Sequence, residues 1–405
     1  MPNAAPARAP LDPTLVTLAV VAGAYALLFL TALAFQVPVQ LVEYIERGID
    51  FADFRQAARD VLDGLDPYGR ARFVTPPPSL VPFLPFALIP REPAALIFMA
   101  ANVAALAGGL VLLVRRLALA PASVAGLLIV AALSPSTLML IERGNVDGPV
   151  FLLLCAFVTA PRGRLAPLWL ALGAGIKAYP ALFLGALVAQ GRTRAALAGG
   201  AIGLALLGAC LVAWPDFPAE LLRNQGARAS AMRLDENLSP LAAFWLLDDQ
   251  VLRFAARPAM VTGVALYLAL LAACLVLDRR LAGRLSGPDE TLLTASLVAF
   301  CLGLPALVYL YSGVVLLIAL AALAAQGVGA SAELTRRQAV CLGLAMLPAQ
   351  SFALTLAPTG AAHFGLALNL VPPLACLMLC VQALAFRLDF AKALAPRAEP
   401  RAALA

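Results

Sequence analysis

Long apolar runs recur along almost the whole chain, and short polar connections separate them. Most of these runs approach the roughly 20 apolar residues that a helix needs to cross a bilayer. They lie near residues 14–36, 93–114, 118–135, 146–161, 166–190, 195–214, 257–278, 290–307, 313–326, 338–357 and 364–386. The pattern predicts an all-α polytopic membrane protein, a single domain over residues 1–405 with about 11–13 transmembrane helices.

The composition excludes several other classes of protein. Of the 405 residues, 62% are hydrophobic and 13% are charged, whereas a soluble domain has about 25% charged residues. The net charge is +6, but the basic residues stand at the ends of the apolar runs rather than in one stripe, which argues against nucleic-acid binding. The seven cysteines lie inside apolar runs without a Cys-x-x-Cys spacing, so neither a disulfide framework nor a zinc site is expected.

Arginine-rich connections alternate with connections that carry few arginines. The positive-inside rule makes connections such as Arg115-Arg116 and Arg279-Arg280 cytoplasmic, together with the amino terminus and the tail 387–405. Two long polar connections, 37–78 and 215–256, then form a first and a second outer loop on the other side. We therefore predict a multi-pass protein of the cell inner (plasma) membrane whose two long loops lie on the periplasmic side.

Two segments depart from simple spans. Residues 79–90 are too short to cross and contain several prolines, so we expect them to dip into the membrane and return, or to lie along the outer interface. Residues 166–190 have arginines at both ends, which a single crossing would not allow under the charge rule. A break at Lys177-Ala178-Tyr179-Pro180 would give two half-helices, and such broken helices often mark a site.

The first outer loop combines an amphipathic helix with turn residues. Asp50 and Asp53 open the helix, which is expected to lie at the membrane interface and to stop at Gly64. Two compatible interpretations apply to Asp50: an N-cap, and a carboxylate held at the surface to accept a proton from a hydroxyl. A turn is predicted at Asp66-Pro67-Tyr68-Gly69, followed by an extended run through Thr75-Pro76-Pro77-Pro78.

A series of short motifs in a defined order resembles glycosyltransferase family 87. In chain order they are Asp50, Gly64 fourteen residues on, Pro67-Tyr68, Pro76-Pro77-Pro78, Gly144-Asn145-Val146-Asp147, Lys177-Ala178-Tyr179-Pro180 and Asn237-Leu238-Ser239. The resemblance covers roughly residues 14–325. This chain differs from the family at the motif Gly-Gln-x-Asn. Asn145 stands in place of the glutamine, and Asp147 stands in place of the asparagine. Some members also carry Ser-Pro-x-x-x-His in a later outer turn, where this chain has Tyr309 and Tyr311 and no histidine.

The resemblance implies a GT-C-like bundle with its active site on the periplasmic side, away from the cytoplasm. It also implies a particular reaction. Family members include membrane enzymes that use polyprenyl-phosphate-mannose as the donor, so the expected partners are a polyprenyl-phosphate sugar and a lipid or glycan acceptor. Asp50 would inherit the role of general base, with Asp53 beside it, in an inverting transfer of a hexose such as mannose. Neither a metal nor another cofactor is expected.

Other polar residues are candidates for substrate contacts. Lys177 is expected to bind the donor phosphate, although a lysine that snorkels at a helix end is the plainer interpretation. Glu142 and Arg143 are interpreted as an interfacial ion pair. The remaining candidates are Arg233 for the phosphate and Asn145, Asp147, Tyr179, Asn237, Tyr309, Tyr311 and His363 for the rest of the substrate.

Two other functions stay open at this stage. A secondary transporter or lipid flippase would also explain broken helices and a lysine within the membrane. It predicts polar groups near the middle of the membrane, whereas this chain concentrates acidic residues in an outer loop. A non-catalytic member of the same family is the other alternative, because the motif departures allow it.

Overall fold

The computed structural model describes residues 12–37, 48–69, 73–230, 238–241, 244, 248, 257–285, 287–303, 310–325, 332–356 and 368–394. Within these residues the chain is helical and contains no strand, which confirms the all-α prediction. The α-helices are α1 Pro13–Ala34, α2 Ile49–Leu62, α3 Leu84–Ala87, α4 Arg91–Leu117, α5 Pro121–Leu133, α6 Pro135–Arg143, α7 Asp147–Thr159, α8 Ala166–Ile176, α9 Leu182–Ala189, α10 Thr193–Ala213, α11 Phe217–Ser230, α12 Pro258–Leu281, α13 Gly287–Ser296, α14 Val298–Cys301, α15 Leu316–Ala325, α16 Ala332–Ala345, α17 Ala349–Leu356 and α18 Val371–Ala393.

Several helices are built to cross a membrane. Among the described residues, α1, α4, α10, α12 and α18 are each long and apolar enough to do so. A sixth crossing is possible if α5 and α6 form one span, since they are bent by 52° at a short break. These helices establish a multi-pass membrane protein, and the figure of 11–13 crossings stays a prediction.

The predicted break inside residues 166–190 is present. Helix α8 ends at Ile176, and Lys177 has extended backbone angles (φ −139°, ψ 135°). A short 3-10 helix, Tyr179–Ala181, follows before α9 begins. Pro180 explains the interruption, because proline has no N–H to donate to a preceding turn. The break places the Lys177 side chain where two half-helices meet.

Residues 79–90 form two short helices that pack against α2. A 3-10 helix, Pro77–Phe83, replaces the end of the predicted extended run and leads directly into α3. The Phe54 and Phe83 rings stack at 4.7 Å between centroids, and Phe98 from α4 lies as close to Phe83. The apolar face of α2 is therefore covered by protein, and an aromatic cluster fixes the first outer loop onto α4.

The start of α2 corrects one expectation. Gly48 is the residue before the helix, with a left-handed φ of +68°, and Asp50 is already inside the first turn. Asp50 is therefore not the N-cap that the sequence pattern suggested. The predicted end of the helix is confirmed, since Gly64 takes a φ of +73° just after it. The predicted turn is confirmed by a hydrogen bond from the Gly69 N–H to the Asp66 carbonyl (3.2 Å).

The two outer loops meet on one side of the bundle. In α11, which opens the second outer loop, the Asn224 amide donates to the Tyr68 carbonyl (3.2 Å) and to the Phe73 carbonyl (3.1 Å). The buried Tyr68 hydroxyl donates to the Thr75 carbonyl (2.7 Å), and burial raises the pKa of this phenol. This contact agrees with the prediction that both loops lie on the same side of the membrane.

Candidate functional site

Asp50 is held by two side chains from the connection between α6 and α7. The Asn145 amide nitrogen donates to Asp50 Oδ2 at 2.8 Å. The Arg143 Nε lies 3.3 Å from both carboxylate oxygens. The Asp50 side chain is 9% exposed and that of Arg143 is 13% exposed. The carboxylate is therefore fixed in orientation while its edge still reaches the surface.

Gly144 allows this close approach. It ends α6 with a left-handed φ of +66°, and a Cβ at this position would lie 2.9 Å from the Cβ of Phe51. The Gly48 N–H also donates to the Glu142 carbonyl at 2.8 Å, which joins the start of α2 to the end of α6. Only glycine adopts this backbone conformation without strain and leaves room for α2.

A second ion pair lies at the start of α7. Asp147 is fully buried, and its carboxylate accepts from Lys177 Nζ at 2.5 Å and from the Tyr179 hydroxyl at 2.8 Å. Its position in the first turn of α7 also brings it close to unpaired helix N–H groups, which favour a negative charge. The Lys177 side chain is 15% exposed. Asp147 thus compensates a lysine charge that would be costly in the membrane without a partner.

Tyr311 connects the two ion pairs. The Lys177 Nζ lies 4.8 Å from the centroid of the Tyr311 ring, and the Arg143 Cζ lies 6.0 Å from it. Both cations are within the range of a cation–π contact. We call the connected residues the Asp50–Lys177 cluster. Its members are Asp50, Arg143, Asn145, Asp147, Lys177, Tyr179 and Tyr311.

Two buried amides near the cluster have polar atoms without a hydrogen-bond partner among the described residues. They are Asn145 Oδ1 and both polar atoms of Asn102. Asn102 lies against the residue after Asp147, since a Cβ on Gly148 would be 2.2 Å from Asn102 Oδ1. Buried polar groups are usually satisfied by protein, water or ligand, so these atoms indicate a polar partner for the cluster.

Arg143 is the member of the cluster that the sequence interpretation assigned elsewhere. Its side chain reaches Asp50, a contact that the sequence interpretation did not include. The sequence held one indication of this contact, because Arg143 stands immediately before Gly144-Asn145, where the chain turns back towards α2. The pairing of Arg143 with Glu142 stays a prediction.

The other candidates divide into two groups. Asp53 lies one turn beyond Asp50 on α2 and is half-buried. Arg233, Asn237, Tyr309 and His363 lie outside the described residues. Within the part of the chain that is described, no group of three His, Cys, Asp or Glu side chains is arranged to hold a metal ion.

Comparison with known proteins identifies the family. The sequence model of glycosyltransferase family 87 matches residues 73–305. This segment contains the Gly144–Asp147 turn and the Lys177–Pro180 break. No curated protein matches the chain. The family match covers more than half of the chain. The protein therefore belongs to glycosyltransferase family 87 and is a membrane glycosyltransferase.

Proposed function

We propose that the protein transfers a hexose, with mannose as the expected sugar, from a polyprenyl-phosphate donor to a hydroxyl of a lipid or glycan acceptor. The observation that carries this proposal is the Asp50–Lys177 cluster, which holds an oriented carboxylate and a partly exposed ammonium group within one network. Transfer from a phosphosugar needs a base for the acceptor and a cation for the leaving phosphate. The cluster offers both.

Asp50 is the proposed general base. Its Oδ2 accepts the short bond from Asn145, whereas Oδ1 has, among the described residues, only the 3.3 Å contact with Arg143. Oδ1 is thus the oxygen better able to accept a hydroxyl proton. In the reaction the acceptor oxygen bonds to the anomeric carbon as its proton passes to Asp50. The bond from that carbon to the phosphate oxygen breaks, and its electron pair leaves with the phosphate. One such displacement inverts the anomeric centre.

Lys177 is the proposed partner of the leaving phosphate. An ammonium group has three N–H donors, and Asp147 Oδ2 accepts from only one of them at 2.5 Å. Asp147 and Tyr179 then position the amine rather than contact the sugar directly. The face of the Tyr311 ring offers the amine a second favourable surface when the phosphate departs.

The polar atoms without partners are the proposed contacts of the sugar. Asn145 Oδ1 lies on the side chain that also holds Asp50, so a sugar hydroxyl bound there would be close to the base. Arg233, Asn237, Tyr309 and His363 remain proposed contacts from the rest of the chain. Asp53 is proposed as an acidic neighbour of the base.

The proposed orientation places this chemistry on the periplasmic side of the inner membrane, with the amino terminus in the cytoplasm. The contact between the two outer loops supports a common side for both. The family match favours a transferase over a secondary transporter or a lipid flippase. The presence of a carboxylate and cations in the cluster favours an active member over a non-catalytic one.

Turnover of a labelled donor tests the proposal. Native membranes containing the protein would be supplied with polyprenyl-phosphate [14C]mannose, and the label would be followed from the donor to an acceptor. We expect transfer that is slower by about a hundredfold or more in membranes containing Asp50→Asn. Retention of all label on the donor, or transfer from GDP-mannose in membranes depleted of the lipid donor, would contradict the proposal. Movement of intact labelled lipid between leaflets without cleavage would favour a flippase.

A further inference from the structure

Four arginines surround a single cavity at the opposite end of the bundle from the Asp50–Lys177 cluster. The cavity has a volume of about 590 Å³ and opens to the surface between the α7–α8 and α9–α10 connections. Helices α7 and α8 separate it from the cluster, and their 13 and 11 residues correspond to about 16–20 Å at 1.5 Å per residue. The arginines that line it are Arg162, Arg164, Arg192 and Arg194.

The positive charge in this cavity is only partly compensated. Arg162 Nη2 lies 2.7 Å from a carboxylate oxygen of Glu290, which is buried in α13. Among the described residues, no carboxylate lies within ion-pair distance of Arg164, Arg192 or Arg194, and none lines the cavity. One carboxylate therefore stands against four guanidinium groups.

Arg192 has an unmet hydrogen-bond donor. Its Nη1 is buried and has no hydrogen-bond partner in the part of the chain that the structure describes. Burial, together with the charge of Arg162, lowers the pKa of this guanidinium, while Glu290 acts in the opposite direction. A buried donor on a charged group is costly to leave unsatisfied, so an anionic acceptor at this position would stabilise the protein.

One helix amino terminus also faces the cavity. Thr193, Arg194 and Ala195 in the first turn of α10 contribute to its lining. The N–H groups in the first turn of a helix have no partner within the helix, and the helix dipole favours an anion there. The arginines and the start of α10 thus both favour an anion in the cavity.

Exposed apolar side chains lie within a few residues, along the chain, of those that line the cavity. Leu165 precedes α8 and is 53% exposed, Val188 near the end of α9 is 47% exposed, and Leu197 in α10 is 68% exposed. A soluble anion would gain nothing from these surfaces, whereas the acyl chains of a lipid would cover them. Basic pockets between transmembrane helices are known to hold anionic lipid head groups.

We propose that this cavity binds the phosphodiester head group of an anionic phospholipid, such as phosphatidylglycerol, at the end of the bundle predicted to face the cytoplasm. The phosphate lies among Arg192, Arg194 and the start of α10, and Arg162 stays anchored by Glu290. The acyl chains lie along the exposed side chains of α9 and α10. This site is separate from the proposed donor site and does not depend on the proposed reaction.

Native mass spectrometry of the purified full-length protein tests the site. The measured quantity is the fraction of protein that retains one phosphatidylglycerol after transfer from nanodiscs into mild detergent. We expect the double variant Arg192→Gln/Arg194→Gln to reduce retention by about tenfold or more. The matched control is Arg115→Gln/Arg280→Gln, which removes the same charge from exposed arginines outside the cavity and should retain the lipid. Equal loss in both double variants would overturn the proposal, because it would show that only net charge matters.

Two further measurements use the unaltered protein and so do not depend on folding of a variant. We expect phosphatidylglycerol to be retained well above phosphatidylcholine from mixed nanodiscs, and equal retention of the two would overturn the proposal. Millimolar inorganic phosphate should leave the lipid bound, because it cannot cover the apolar surface. Displacement by phosphate would assign the cavity to a soluble anion and overturn the assignment to a lipid.

Discussion

Replacement of Lys177 by methionine should destabilise the protein strongly, although methionine has nearly the same length. Asp147 is fully buried, and Lys177 is the only cation within ion-pair distance of it among the described residues. Breaking a buried pair by removing one partner typically costs about 3–5 kcal/mol, since the remaining charge is buried without compensation. Tyr179 and the start of α7 still stabilise the carboxylate, so we expect a loss near 3 kcal/mol.

Two further variants distinguish the energetic contribution of this ion pair from that of side-chain packing. Asp147→Asn leaves the Lys177 side chain, which is 15% exposed, beside the Tyr311 ring, so its cost should be smaller than that of Lys177→Met. The double variant Asp147→Asn/Lys177→Met removes both charges. Its cost should be less than the sum of the single costs by about 1–3 kcal/mol, as expected for residues in direct contact.

Equilibrium unfolding in mixed micelles provides the assay. The free energies of unfolding of the four proteins, followed by tryptophan fluorescence, form a complete double-mutant cycle. Additive costs within about 0.5 kcal/mol would refute the reasoning, because they would show no coupling between the two charges. A Lys177→Met variant as stable as the wild type would also refute it, since the buried Asp147 carboxylate would then be stable without the lysine charge.

Two other predictions concern sites where the packing is tight. Gly144→Ala should cost about 1–3 kcal/mol in the unfolding assay, because φ is +66° and the new Cβ would meet Phe51, whereas Gly208→Ala in α10 has nothing within 4 Å and should cost nothing. Arg387→Met should cost about 3–5 kcal/mol, because Arg387 and Asp278 form a fully buried pair with bonds of 2.7 and 3.1 Å. A Gly144→Ala protein with wild-type stability, or an Arg387→Met loss below about 1 kcal/mol, would contradict the respective argument.

The fold class and the helix break could be predicted from the sequence because both depend on local chemistry. Apolar runs of about 20 residues predict helices, because a single segment in a bilayer can satisfy its backbone hydrogen bonds internally only as a helix. Pro180 interrupts a helix wherever it stands, and the arginines at the two ends of residues 166–190 required a break in the middle. The stop at Gly64 was predictable for the same reason, because few other residues adopt a positive φ without strain.

Part of the cluster could also be predicted, but its pairings could not. The motif order singled out Asp50, Asn145 and Lys177, and the structure brings them into one network. The sequence did not show that Arg143 would pair with Asp50, since that contact joins residues far apart in the chain. It also suggested that Asp50 caps α2, because capping preferences say nothing about the backbone turn that Gly48 makes.

The most direct test of the account compares the two aspartates of α2 in the labelled-donor assay. Asp50→Asn keeps the shape of the side chain but removes the proposed base, so the transfer rate should fall by about a hundredfold or more. Unfolding should show a loss of about 1–3 kcal/mol, because Arg143 loses its carboxylate partner, and the rate is therefore measured on folded protein. Asp53→Asn, one turn along the same helix, should retain most of the transfer rate. Near-normal turnover in Asp50→Asn, together with loss of turnover in Asp53→Asn, would contradict the assignment of the base.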